Sequence, residues 1–127
     1  MKIFGKEYGM LYSVGAQEEI AELCPDGDLK RLGEYLKGTA VEANAKSARI
    51  PMILSTWYEK AEAMEAAAEG REYEQKPLGW ETVELLDMGQ FRSLMEEAFA
   101  AMGAGRARTV ETETSEGQKK TEPAPEG

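Results

Sequence analysis

From Thr39 to Gly70 the chain keeps a helical apolar repeat for roughly thirty residues, and no other feature restricts the fold as much. Thr39 followed three residues later by Glu42 forms a capping box, in which each side chain satisfies the other residue's free backbone N–H. Val41, Ala45, Ala48 and Met52, then Ile50, Ile53, Leu54, Trp57, Ala61 and Met64, stay on helical spacing. Pro51 interrupts the run, removes one N–H and crowds the Ser47 carbonyl, so a kink or a break between two helices is expected there. Glu59 to Glu69, rich in Ala, Glu and Met, favours helix but offers only a thin apolar face.

Shorter elements surround this segment. Residues 1–12 predict a hairpin that turns at Gly5, and a lone two-stranded hairpin must lie on helices or pair with another chain's edge. Ser13 caps a helix through Ala16, Ile20, Leu23 and Cys24, which Pro25 ends. Asp26, Gly27 and Asp28 make a turn and a cap for a short helix with the stripe Leu29, Leu32 and Leu36, stopped at Gly38. Arg71 to Pro77 is a polar loop, and Leu78 to Leu86 predicts a short helix carrying Trp80, Val83 and Leu86. Asp87 with Gln90 repeats the capping arrangement ahead of Phe91, Leu94, Met95, Ala98, Phe99 and Met102, with the helix ending at Gly103 and Gly105. Beyond Arg106 the only large apolar residue is Val110, too little to offset the entropy of ordering. The expected fold is mainly α. A compact helical bundle with an N-terminal β-hairpin occupies residues 1–105, a disordered polar tail occupies 106–127, and no internal repeat is present.

Composition narrows the chemistry. Among 127 residues there is one cysteine and no histidine, which removes thiolate/imidazole zinc sites and every histidine-based triad or proton relay. Asp26 and Asp28 do not open an EF-hand loop, because the twelfth position falls on Lys37 or Thr39 where a bidentate glutamate is needed. Cys24 has no histidine to activate it and lies on an apolar helix face, where a free thiol acts as a small hydrophobe. Gly103 to Arg106 follows a helix instead of opening one and lacks the Lys-Ser/Thr pair of a phosphate loop. Adjacent glutamates such as Glu18 with Glu19 and Glu96 with Glu97 diverge by about 100° around a helix and do not converge on a cleft. No enzyme activity, cofactor or metal is expected.

The net charge is −9, nearly all of it on residues 1–105. Such a body repels phosphate backbones, so nucleic acid is not an expected ligand, and the excess acid suits a solvated face. No run reaches the roughly 18 apolar residues of a membrane span, and the first residues lack the apolar stretch of a signal peptide, so a cytoplasmic protein is expected. Trp57 continues the apolar stripe toward the core, whereas Tyr58 falls off it and is open to a partner. Methionines on the helices suit an irregular core or an adaptable binding groove. Tyr58, Met64, Met95, Phe99 and Met102 are the candidate partner contacts.

Certain short words, in order, resemble a known family. Gly5, Lys6, Glu7 and Tyr8 lead to Ser13, Val14, Gly15 and Ala16, then to Glu19, Ile20, Ala21, Glu22 and Leu23. Cys24 to Leu29, the helix containing Ile50 to Tyr58, and Lys76, Pro77 and Leu78 before a Phe91-bearing helix continue the pattern. Over residues 1–103 this arrangement resembles the tail assembly chaperones of long-tailed bacteriophages of Gram-positive hosts. The resemblance implies a non-enzymatic protein of the host cytoplasm, absent from the mature virion. Such a protein binds and solubilises the helical tape measure protein and promotes tail tube assembly. It also implies a longer frameshifted form that recruits tail tube protein, and Gln118, Lys119 and Lys120 fit an A-rich slippery site. Self-association is a further expectation. A small acidic helical adaptor or inhibitor of a host protein satisfies the same composition, and ionic strength separates the two, because an acidic mimic loses affinity as salt rises.

Overall fold

The computed structural model describes the backbone of residues 1–114 and the side chains of residues 1–104. It is mainly helical with an N-terminal hairpin. Strands β1 (Lys2–Ile3) and β2 (Lys6–Glu7) pair antiparallel, Lys2 opposite Glu7 and Ile3 opposite Lys6. Both turn residues, Phe4 (φ 47°) and Gly5 (φ 82°), are left-handed, the backbone of a tight type I′ connection. The hairpin lies on helices as its small size requires, because Ile3 and Tyr8 are buried with Ala48, Leu78, Val83 and Leu94. The Met1 ammonium fastens it further, donating to Glu7 Oε2 at 2.7 Å and the Tyr8 carbonyl at 2.8 Å and standing 3.3 Å from Glu97.

Helix α1 (Val14–Leu23) starts at Ser13, whose hydroxyl accepts from the Ala16 N–H at 3.1 Å. The expected helix over Leu29 to Leu36 is two tight pieces, a 3-10 turn at Leu29–Arg31 and α2 (Leu32–Tyr35), entered through Asp28, which accepts from the Lys30 N–H. Gly38, at φ 139°, ends this region.

Helix α3 (Ala40–Ala68) is the spine. Both halves of the Thr39–Glu42 capping box form, at 3.2 and 2.9 Å. The helix runs unbroken through Pro51, which is itself buried, so the break alternative does not occur. Packing decides this. Ile50, Ile53 and Leu54 are buried on either side of the proline with Ala16 and Ile20 of α1, and tertiary burial outweighs the loss of one helical hydrogen bond.

Helix α4 is a single turn (Trp80–Val83), shorter than the expected Leu78–Leu86 element. The Leu78 N–H is committed elsewhere, and the Leu85 and Leu86 N–H groups close onto Thr82 and Val83, three residues back, which tightens the chain out of α geometry. Asp87 and Gln90 exchange bonds of 2.8 and 2.9 Å to open α5 (Met88–Thr114). Its Leu94, Ala98 and Met102 are buried against the spine. The backbone of α5 passes through Gly103 instead of stopping there. Gly103 does not take the left-handed conformation on which a glycine stop depends. Of the expected tail, residues 115–127 lie outside the described residues.

Among the described residues no helix is long and apolar enough to cross a membrane.

Candidate partner-binding groove

One side of α3 is left uncovered. Val41, Asn44, Ala45, Arg49, Met52, Ile53 and Thr56 recur at helical spacing and form its floor. Two cavities lie along this floor, one of about 400 Å³ beside Glu19, Arg49 and Thr56, the other of about 260 Å³ beside Val83, Glu84, Leu86, Met88 and Phe91. Ala45 and Trp80 line both, so the two cavities adjoin along this face of α3, and together they are called the trough below. Fifteen helical steps separate Val41 from Thr56, giving a length of about 22 Å. Much of its apolar lining faces water, with Val41 79%, Met88 56% and Trp80 45% exposed. Large apolar side chains exposed together mark a contact surface more often than scattered ones do.

Trp80 reaches the trough because the segment before it is strapped to the spine. The Tyr73 hydroxyl and the Lys76 N–H both donate to Oε1 of Glu59, each at 2.9 Å. One helical turn away, the Ser55 hydroxyl accepts from the Leu78 N–H at 2.9 Å. Ser55 and Glu59 are buried polar groups on α3, and the strap supplies the partners that burial demands. Burial and the bond to Glu59 push the Tyr73 phenol up to about 12. Leu78 then enters the core, and Trp80 emerges two residues later.

The far end is fixed from the other side. The Trp57 indole N–H donates to Glu19 at 2.8 Å, which holds that carboxylate at the rim, and the Lys60 ammonium stands 4.0 Å over the indole ring. The ring also closes against the backbone of Gly15, where an added Cβ would lie 2.6 Å from Cζ3.

None of the residues singled out as partner contacts lines this trough. Met102, at 3% exposure, packs in the core, because α5 turns its Leu94, Ala98 and Met102 row inward. Tyr58 is half-buried, its ring pressed on Gly9 so that a Cβ there would lie 2.5 Å from Cε2. Met64 is 76% exposed near the end of α3. Met95, half-buried, and Phe99, 42% exposed, share a face of α5 one turn apart.

No family model, curated protein or solved structure matches this chain. Trp80, Leu86 and Phe91 were legible only as helix stripe, and Val41, Ala45 and Met52 only as part of the spine's apolar repeat. The signal that could have found them is an apolar stripe on α3 too wide for its neighbours to cover.

Among the described residues no group of three or more acidic or cysteine side chains is placed to hold a metal ion. Burial, with a smaller contribution from Asp28, pushes the Cys24 thiol up, and its Sγ lies 3.5 Å from the Ile20 carbonyl.

Proposed function

We propose that this chain is a non-enzymatic tail assembly chaperone of a long-tailed bacteriophage, and that its α3 trough holds a helical segment of the tape measure protein. The observation that carries the reading is the trough itself: about 22 Å along α3, with the exposed apolar side chains Val41, Trp80 and Met88 gathered toward one end, matched in length to about four turns of an amphipathic helix. The resemblance over residues 1–103 is the ground for the family reading, and the length of the trough supports a helical client. Masking that client's apolar face keeps it soluble until tube subunits surround it. In this reading the protein acts in the host cytoplasm, leaves before the virion is complete, and has a longer frameshifted form that brings in tail tube protein.

The test is calorimetric titration of the protein with helical segments of a tape measure protein from a long-tailed bacteriophage of a Gram-positive host, at low and moderate salt. A segment that binds at both, and loses at least tenfold in affinity against Trp80→Ala, supports the reading; Trp80 is the large side chain of the two that line both cavities. Absence of binding to every segment sinks it. Affinity that collapses with salt and ignores Trp80 favours the acidic adaptor.

A further inference from the structure

The trough is mostly apolar toward Val41 and Met88 and mixed toward Thr56, where Arg49, Thr56 and Glu19 join Met52 and Ile53 in the lining. Arg49 lies on its floor, eight residues from Val41 and seven from Thr56, and is exposed. Every arginine or lysine ion pair among the described residues involves Arg31, Arg71 or Lys76, so no carboxylate of the described residues lies within 4.0 Å of the Arg49 guanidinium. The fixed charges on the rim are acidic. Glu19 stands at the Thr56 end, held by the Trp57 indole, and Glu84 at the Met88 end. A single cation with open donors thus sits on the trough floor between Ala45 and Met52, inside an acidic rim, on a chain of net charge −9.

We infer that Arg49 sets the register of the bound helix by pairing with one carboxylate midway along that helix's apolar face. The inference rests on the trough being a helix site. An all-apolar client face can slide along the trough by one turn with little change in contact, because alternative registers bury similar groups. A carboxylate on that face is stranded against Met52 or Trp80 in every register but one. In the remaining register it meets a planar fork of five N–H donors, none of them engaged within the described residues. The matching client is an amphipathic helix with apolar residues on both sides of one acidic residue, and basic residues on its flanks toward Glu19 and Glu84.

The net charge makes the test decisive. Attraction to the whole chain favours a basic residue at any position of the client, so preference for an acidic one requires a local cation. The probe is a synthetic helical peptide of about four turns with leucines at the a and d positions, its central d position being glutamate, glutamine or lysine. Calorimetry at low salt is expected to rank glutamate first, about three- to fivefold tighter than glutamine and about tenfold tighter than lysine. Arg49→Gln should erase the preference and Arg49→Glu should invert it, with circular dichroism confirming the fold of each variant. Peptides that all bind, with lysine equal to or better than glutamate, overturn the register inference and leave the groove reading standing. If none of the three binds, the groove reading fails and the register inference falls with it.

Discussion

Ser55 and Ser47 lie two turns apart on the same helix, and replacing each by alanine should separate a strap-bearing hydroxyl from an ordinary one. The Ser47 hydroxyl donates back to the Ala43 carbonyl at 2.8 Å within α3, a local bond whose loss is offset by alanine's better helix propensity. The Ser55 hydroxyl instead accepts from the Leu78 N–H, with Ser55 1% and Leu78 2% exposed, so Ser55→Ala leaves a backbone donor buried without a partner or solvent. Such an orphan costs about 1–3 kcal/mol. With an unfolding entropy near 2.1 cal/mol/K per residue over roughly 100 ordered residues, that becomes a fall in Tm of about 5–15 °C. Ser47→Ala should stay within about 0.5 kcal/mol of the parent, or about 2 °C. Thermal unfolding followed by circular dichroism measures both. The reasoning also places the loosening at the strap, so Ser55→Ala should weaken Trp80-dependent peptide binding well below its own melting point. Equal Tm values for the two variants would refute the account of the strap.

Other outcomes follow from single groups. Tyr12 Oη is buried with no hydrogen-bond partner among the described residues, so Tyr12→Phe should leave the urea midpoint unchanged or raise it, by up to about 1 kcal/mol in stability; a clear loss would show the hydroxyl to be satisfied. The Tyr73 phenol, raised to about 12 first by burial and then by its bond to Glu59, keeps its stabilising contribution below pH 10, the ordinary value, and loses it as pH rises from 10 toward 12. Phenolate absorbance should therefore show a late-titrating tyrosine that moves down in Tyr73-only reporter variants carrying Glu59→Leu, and an unmoved titration would count against the contact. Cys24, buried with its thiol pushed up, should react with a disulfide reagent slowly in the native protein and rapidly in denaturant, whereas immediate native reaction would contradict its burial.

What could be read in advance was local. Ser13, the Thr39–Glu42 pair and the Asp87–Gln90 pair cap helices where their spacing put them, since a capping box needs only four residues. Pro51 could not be resolved from its neighbours, because its outcome depends on Ile20 and Ala16, thirty residues away and closer in space than in sequence. The strap was invisible for the same reason. Glu59 and Ser55 look like solvent-facing polar positions until the segment 71–79 is laid over them, and partners 14 to 23 residues distant leave no periodic mark. The trough suffered the opposite confusion. Val41 and Met52 have the same spacing whether a helix face is covered by the fold or left open, so departure from the stripe singled out Tyr58, and the place of Trp80 beside α3 left no mark in the sequence.

The closures of Tyr58 on Gly9 and of Trp57 on Gly15 tie together positions that lie more than forty residues apart in the chain. Neither glycine is free to become alanine while its ring stays, and neither ring gains by shrinking while its glycine stays, because a void would open. Substitution at either member is therefore admissible only after change in the other. Across related chains these two pairs should drift as linked letters: a methyl group at 9 or 15 accompanied by a smaller side chain at 58 or 57, and glycine wherever the aromatic ring persists.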